Sequence, residues 1–424
     1  MKRSTSVLGL LVIAGMLLAA CGGAAPTEAP PPEGPMATEA PEAPAPFTCT
    51  DAIGCVTIGP DDPIHLAYLL VISGPNETLG IDSRNGVEIA IADFGPVLGH
   101  EVRLSGEDGG CSAEGGQPAG TRLAADPTII GVIGTSCSSE ARAAVPLLSA
   151  AGFTIISPSN TAPDLTLPGN ENQHPGYFRT AHSDLIQGAA AARFAYEFLG
   201  VRNVATIHDG SLYAEQLAVV FAREFEGMGG AVTNRGAVSP EQTDMASVLA
   251  DIAAGSPELI YYPIFMPAGG FITRQAKSTA GLESTYLMGA DGLFSPDVVT
   301  GTGSDIEGFY VSSPDLAAFG DAYMASFVPA YVELFGTEPI SIFHAHAYDA
   351  AMLLLNAIEA VAVVEADGTL HIGRQALRDA MYAVASFPGL TGNLTCSEYG
   401  DCADPVIAVY EYHADEFPPE RIWP

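Results

Sequence analysis

Nearly continuous runs of apolar residues alternate along the chain with segments whose apolar residues recur at helical spacing. The first run, residues 64–72, is broken only by His65 and is typical of a parallel strand buried on both faces. A turn at 73–76 and a helical pattern up to Phe94 follow. The unit then repeats, with strands predicted at 101–105, 129–133 and 153–156 and helices at 113–125 and 139–150. Strict alternation of this kind predicts an open, doubly wound parallel sheet.

A second set of alternating elements begins after Arg179 and Thr180. Its predicted helices are 184–199, 213–228, 244–254 and 269–279, and its predicted strands are 203–208, 231–237, 259–263, 285–288 and 307–312. Three helical stretches up to about residue 385 and two β segments, 390–395 and 406–413, complete the chain. We expect an α/β protein with two Rossmann-like, doubly wound lobes joined by several crossings, since the globular part exceeds one ordinary domain. The predicted lobes are 47–182 plus 315–400 and 183–314 plus 401–424, with a ligand cleft between the carboxyl ends of the two sheets.

The amino-terminal residues predict export. Lys2 and Arg3 precede a short apolar run, 7–18, that ends in Leu-Ala-Ala-Cys, with the cysteine at position 21. This pattern is typical of a bacterial lipoprotein signal peptide, with Cys21 as the lipid-bearing residue. The alternative is an ordinary secretory signal in which Cys21 is incidental. Residues 22–46 are rich in Pro, Ala and Glu, contain no Lys or Arg, and predict an extended tether.

Charge excludes some classes of partner. The net charge is −34, with 16 Lys and Arg residues in total, which argues against nucleic acid and against adhesion to anionic lipid. The same net charge favours solubility in an exposed compartment.

Seven cysteines leave an even number once Cys21 is assigned to a lipid. In an oxidising compartment the six others predict three disulfides. The expected pairs are Cys49 with Cys55, Cys396 with Cys402, and Cys111 with Cys137. Metal binding is the alternative, but the sequence has no C-x-x-C pair and no histidine at ligand spacing.

Motifs for catalysis are absent from the sequence. It contains no nucleophile elbow, Walker loop or complete dinucleotide fingerprint, so we expect no enzyme activity, no cofactor and no metal. His344 and His346 stand two positions apart in a predicted helix and would point to different faces.

Three loops that follow buried strands hold polar residues suited to an amino acid, which offers a carboxylate and an ammonium. Ser138 and Ser139 stand where a strand becomes a helix, and the free N–H groups there suit a carboxylate. The alternative is that Ser138 only caps the helix. Ser159 and Thr161 occupy the next loop, which is otherwise an ordinary polar turn rigidified by prolines. Asp291 is predicted to meet the ammonium from the second lobe, unless it is a solvated loop acid.

The chain resembles a known family through an ordered series of short segments. They are GED (106–108), IGTSCSS (133–139), ISPSNTAPDL (156–165), FRT (178–180), IHD (207–209), YY (261–262), RQA (274–276) and MGADG (288–292). Together they resemble the periplasmic leucine/isoleucine/valine-binding proteins, which are receptors of branched-chain amino acid ABC transporters. The resemblance extends from Ile64 to the carboxyl terminus and implies a two-lobe, type I periplasmic-binding fold.

The resemblance also implies individual roles. It implies that Ser138 binds the ligand carboxylate, that the Ser159 carbonyl accepts from the ammonium, and that Thr161 supplies its amide and hydroxyl. Asp291 stands where the family usually has glutamate, so the charge is kept with a shorter reach.

Recognition of the ligand side chain is expected from Leu79, Tyr213 and Phe265. By position, Leu79 replaces a family aromatic residue and Phe265 replaces a tyrosine. The apolar lining favours a neutral aliphatic or aromatic side chain. The alternative for each apolar residue is an ordinary core position.

The resemblance therefore implies an extracytoplasmic, lipid-anchored, monomeric receptor that binds a neutral, branched-chain-like amino acid and delivers it to an ABC permease. A ligand-sensing receptor subunit and a receptor for a short amide or urea are the alternatives. An enzyme is the third class, and it would require turnover of a bound ligand.

Overall fold

The computed structural model describes residues 47–424. The predicted signal segment, Cys21 and the tether lie outside these residues. The strands are β1 (Cys55–Ile58), β2 (Ile64–Leu70), β3 (Val102–Asp108), β4 (Gly131–Gly134), β5 (Thr154–Ser157), β6 (Tyr177–Arg179), β7 (Asn203–His208), β8 (Ala231–Ala237), β9 (Leu259–Tyr261), β10 (Tyr286–Ala290), β11 (Phe309–Pro314), β12 (Val363–Val364), β13 (Leu370–Gly373), β14 (Phe387–Gly389), β15 (Gly392–Leu394), β16 (Ile407–Tyr412) and β17 (Glu420–Trp423).

The helices follow the predicted alternation with these strands. They are α1 (Glu77–Phe94), α2 (Ala113–Ala124), α3 (Ser138–Ala150), α4 (Asp184–Arg193), α5 (Leu212–Gly227), α6 (Ala246–Ala254), α7 (Ala268–Ala276), α8 (Pro296–Thr302), α9 (Val328–Phe335), α10 (His344–Val361) and α11 (Arg374–Tyr382). A π-helical turn, Phe194–Phe198, extends α4, and another, Tyr323–Phe327, precedes α9.

The first sheet has five parallel strands in the order β3-β2-β4-β5-β6. Successive residues of β2 enter opposite cores. Leu66 packs in the core that contains α1 and α10, whereas Ala67 packs in the core that contains α2 and α3. Helices therefore cover both faces, which confirms the doubly wound α/β prediction and explains why its strands are apolar throughout.

The second sheet has seven strands in the order β17-β16-β11-β10-β9-β7-β8. The five strands β11, β10, β9, β7 and β8 are parallel. At the other edge, β16 pairs antiparallel with β11, and β17 pairs antiparallel with β16. The chain passes between the two sheets through residues 180–183, through the segment after Pro314 and through residues 395–406. The predicted lobe boundaries lie in or beside these connections, and the division into lobes stays a prediction.

Several short strands are present that the sequence pattern does not predict. They are β6, β14, β17 and the small sheet β1-β13-β12, in which Cys55 pairs with Gly373. The partner of β14 is β15 (Gly392–Leu394), which lies within the predicted β segment 390–395. Each has between two and four residues, too few for a recognisable period, and the partner of β1 is more than three hundred residues away in the chain.

The cysteines pair as the sequence predicts. Two disulfides, each between residues six positions apart, close local loops, and the third joins the loop after β3 to the start of α3. The pairs are Cys49–Cys55, Cys396–Cys402 and Cys111–Cys137.

Candidate ligand-binding cleft

The two predicted lobes contact each other directly. The Thr78 hydroxyl donates to the Asp297 carboxylate, and the Leu212 backbone N–H donates to the Ser139 hydroxyl oxygen over 3.0 Å. These contacts join α1 to α8 and α3 to α5, so the structure has its lobes closed on each other.

Ser138 is the first residue of α3, directly after the loop that follows β4. Cys137, not Ser138, is the N-cap, so the capping alternative does not describe Ser138. The Ser138 hydroxyl oxygen instead accepts from the Ala162 backbone N–H over 3.3 Å, which ties this helix start to the loop that contains Thr161. Ser138 is buried, at 2% exposure.

Glu140 fixes the backbone before α3. Its carboxyl oxygens accept from the backbone N–H groups of Cys111, Ser136 and Cys137 at 2.6, 2.9 and 3.0 Å. Burial raises the pKa of Glu140 to about 7, and the three backbone donors act against that rise. The helix start is thus fixed by a buried carboxyl and by the Cys111–Cys137 disulfide.

The loop after β5 contains the second pair of predicted residues. The Ser159 hydroxyl donates to the Ser136 carbonyl over 2.9 Å, so it is used within the first lobe. The Thr161 carbonyl accepts from the Asp184 backbone N–H over 2.9 Å. Within residues 47–424, the buried Thr161 hydroxyl has no hydrogen-bond partner. It is therefore a buried polar group with unused hydrogen-bonding capacity.

Asp291 lies at the carboxyl end of β10 and is 5% exposed. Its Oδ1 accepts from Gln187 Nε2 over 2.5 Å and from the Tyr213 hydroxyl over 3.2 Å. Burial raises the pKa of Asp291 to about 6, and these two donors act against that rise. Because its side chain is buried, Asp291 is not a solvated loop acid.

Asp184 is a second buried carboxyl at this place, and the sequence did not single it out. Its side chain is fully buried, and neither carboxyl oxygen has a hydrogen-bond partner within residues 47–424. Burial, and then the charge of Asp291, hold the pKa of Asp184 well above its ordinary value. The Thr161 hydroxyl is close enough to lower the pKa of Asp184, although the side chains of Thr161 and Asp184 are not in hydrogen-bonding geometry. From the sequence, Asp184 is an ordinary acid that follows the N-cap Ser183.

Leu79, Tyr213 and Phe265 lie near Asp291. The rings of Tyr213 and Phe265 pack with their centroids 4.9 Å apart. Leu79 and Phe265 line a narrow cavity of about 20 Å³ together with Asp291 and Asp297. Leu79 and Phe265 therefore lie beside the Asp291 carboxyl group, around a space large enough for about one water molecule.

The cleft thus has two chemically distinct parts. Ser138, Thr161 and the start of α3 supply hydroxyl and N–H donors, which suit an anion. Asp184 and Asp291 supply carboxylates, which suit a cation. The model of one protein family, the periplasmic binding proteins, matches residues 63–408, which is most of the chain. The chain belongs to the periplasmic binding protein family.

Relatives in this family match the chain over most of its length. A leucine-, isoleucine-, valine-, threonine- and alanine-binding protein of Pseudomonas aeruginosa is 27% identical over 364 residues, 84% of this chain and 91% of that protein. The crystal structure of a leucine-binding protein from Thermotoga maritima matches with a TM-score of 0.74 and 26% identity, covering 82% of this chain and 95% of that one.

A third relative shows only that the fold is shared. A solute-binding protein of an ABC transporter from R. palustris, solved in complex with benzoate, has a TM-score of 0.71 and 21% identity and covers 85% of this chain and 95% of that one. Relatives of this periplasmic binding protein are solute-binding proteins and not enzymes, and the family acts outside the cytoplasm. Within residues 47–424, no helix is long and apolar enough to cross a membrane.

Proposed function

We propose that this periplasmic binding protein is the substrate-binding lipoprotein of an ABC importer and that it binds a neutral, branched-chain-like amino acid between its lobes. The observation that carries the proposal is the pair of buried carboxyls, Asp184 and Asp291, beside the unpartnered Thr161 hydroxyl. A carboxylate site at Ser138 and Thr161 and an ammonium site at Asp291 and Asp184 would together hold a zwitterion.

The electrostatics of the two carboxyls support a cationic group in the ligand. The charge of Asp291 raises the pKa of Asp184, so the two carboxylates repel each other. An ammonium placed beside both carboxyls would offset this repulsion and lower their pKa values, because a cation within about 4–6 Å favours the charged form of a carboxyl. A ligand without a positive charge would leave a desolvated carboxylate unpaired, which is costly.

The partners proposed for this receptor follow from the same function. A membrane permease of an ABC importer would receive the closed form, and a lipid on Cys21 would hold the receptor near it, with residues 22–46 as the tether. We expect a monomer. Neighbouring permease and ATPase genes would favour transport over a sensor subunit.

The test is a calorimetric screen of the purified protein against neutral amino acids, short amides, urea and small carboxylates that include benzoate. We expect binding among the neutral amino acids and weak binding of benzoate, which has no positive charge to offer Asp184 and Asp291. Tight binding of an amide, urea or benzoate, with no amino acid bound, would contradict the proposed ligand class.

Asp291→Asn tests the ammonium site. We expect the affinity for the best amino acid to fall by about 1–3 kcal/mol, or about 5- to 150-fold, because a hydrogen bond to a charged group is lost. Asp251→Asn, at an exposed position of the same lobe, is the matched control. Equal affinities of the two variants would remove Asp291 from the site.

A further inference from the structure

Gln187 is a buried residue of α4 that contacts the proposed ammonium site. Its Nε2 donates to Asp291 Oδ1 over 2.5 Å, and to the carbonyl and hydroxyl oxygens of Ser312 over 3.0 and 3.2 Å. Its Oε1 lies 2.7 Å from His182 Nε2. One amide group therefore joins Asp291 to a histidine outside the cleft.

The direction of each hydrogen bond follows from the chemistry of the partners. A carboxylate oxygen only accepts, so the Gln187 NH₂ group faces Asp291 and the Gln187 carbonyl faces His182. His182 must then carry its proton on Nε2 and donate it to Gln187. The residue is buried and stacks on Phe343, with ring centroids 6.1 Å apart, and burial lowers the pKa of His182 to about 4. A neutral His182 with Nε2–H fits this arrangement.

His182 belongs to the hinge segment, residues 180–183, which connects β6 of the first sheet to α4. The hydrogen bonds from His182 to Gln187 and from Gln187 to Asp291 thus run from a connection between the lobes to the cleft. Both side chains are buried, so water does not compete for these bonds.

We propose that Gln187 is a positioning residue for the Asp291 carboxylate, that His182 fixes the orientation of the Gln187 amide, and that ammonium affinity depends on both. The inference rests on the proposed function, in which Asp291 meets the ligand ammonium. Without the Gln187 N–H, Asp291 would lose its shortest hydrogen bond and be free to turn away from the ligand.

The first test is calorimetric titration of the purified protein with L-leucine. Gln187→Met keeps the length of the side chain and removes the amide hydrogen bonds to Asp291, His182 and Ser312, so we expect affinity to fall roughly 10- to 100-fold. In the Asp291→Asn background the same change should have little further effect, because the partner is already altered. Gln275→Met is the control, since the Gln275 amide bonds only the backbone groups of Thr243 and Met245.

The second readout separates positioning from a general structural role. Loss of an N–H donor favours the protonated form of Asp291, so the pH midpoint of leucine affinity should move upward in Gln187→Met. The other titratable groups that act on Asp291 or are raised by its charge, Asp184, Tyr213 and Tyr261, are unchanged in this variant. His182→Phe keeps the stacked ring and removes the donor, and we expect a smaller loss of affinity with the same direction of shift.

Two results would overturn the inference. The first is that Gln187→Met keeps the wild-type leucine affinity and the wild-type pH midpoint. The second is that the loss of affinity from Gln187→Met adds fully to the loss from Asp291→Asn in the double variant. If the wild-type protein binds neither leucine nor any other neutral amino acid, the proposed ligand class fails separately. Urea unfolding of the ligand-free proteins then tests the coupling of Gln187 to Asp291. The wild type, the two single variants Gln187→Met and Asp291→Asn and the double variant are compared, and additive losses of stability would contradict the coupling.

Discussion

At the scale of single residues, the cleft contains two carboxyls, Asp184 and Asp291, whose pKa values are raised by burial. Gln187 and Tyr213 donate to Asp291 and lower its pKa, whereas the charge of Asp291 raises the pKa of Asp184 and the nearby Thr161 hydroxyl acts against that rise. Under the proposed function, the ligand ammonium would supply the missing positive charge when the lobes close on it.

The affinity for an amino acid should depend on pH through Asp291. Burial raises the pKa of Asp291 to about 6, and an ammonium binds its charged form, so affinity should fall as pH falls through about 6. We expect leucine to bind about tenfold more weakly at pH 5 than at pH 7. Calorimetry over this range measures the effect, and the Asp291→Asn variant should show a flatter profile. An equally steep profile in that variant would assign the dependence to another group.

The Asp291 carboxyl should affect the stability of the ligand-free protein in the opposite sense, so that its contribution falls as pH rises. Its folded pKa of about 6 lies above its ordinary value of 3.8, so the folded state binds more protons than the unfolded state between these two pH values. The contribution of Asp291 to stability is therefore fully present below pH 3.8 and is lost as pH rises towards about 6.

At the scale of elements, the loop between β5 and β6 is held in shape by Arg179. This arginine is fully buried and donates to the carbonyls of Asn160 and Ala162 over 3.2 and 2.8 Å, and to Asp401 Oδ1 over 2.5 Å. The two carbonyls flank Thr161, so the arginine fixes the backbone on both sides of Thr161.

Arg179→Lys should lower the free energy of unfolding by about 3 kcal/mol, because a lysine ammonium cannot reproduce the planar set of donors in a buried site. Urea denaturation measures the loss. Arg223→Lys is the control, since Arg223 is exposed and its guanidinium bonds only Glu224. A loss no larger than that of the control would show that the loop keeps its shape without Arg179.

The sequence predicted those elements whose signal is local. Runs such as 64–72 predicted the buried parallel strands, and the loops after them contain Ser138 and Asp291. Arg179 was noted only as part of a family motif, because its partners lie as far away as residue 401. Asp184 and Gln187 were missed for a similar reason. At the start of a helix they look like ordinary polar residues, and their burial arises when α4 packs against α5, β11 and β16.

At the scale of the whole molecule, the closed state depends on a few polar contacts between the lobes. The Thr78 hydroxyl bonds the Asp297 carboxylate, Ser139 bonds the Leu212 backbone, and the Asp164 backbone N–H donates to Gln216 Oε1 over 3.3 Å. Each contact exists only when the lobes meet. Together, the free energies of these three contacts therefore bias the equilibrium between open and closed forms. The apparent ligand affinity changes with the fraction of the protein that is closed.

Thr78→Ala should shift that equilibrium towards the open form without touching the cleft carboxyls. The loss of one hydrogen bond is worth about 1 kcal/mol, so the affinity for leucine should fall about fivefold, and small-angle scattering of the ligand-free variant should give a larger radius of gyration. Thr300→Ala is the control, because the Thr300 hydroxyl bonds the Pro296 carbonyl within α8 and crosses no lobe boundary. A weaker affinity without any change in radius would mean that Thr78 acts on the side-chain pocket beside Leu79 and not on closure, because both residues line that cavity.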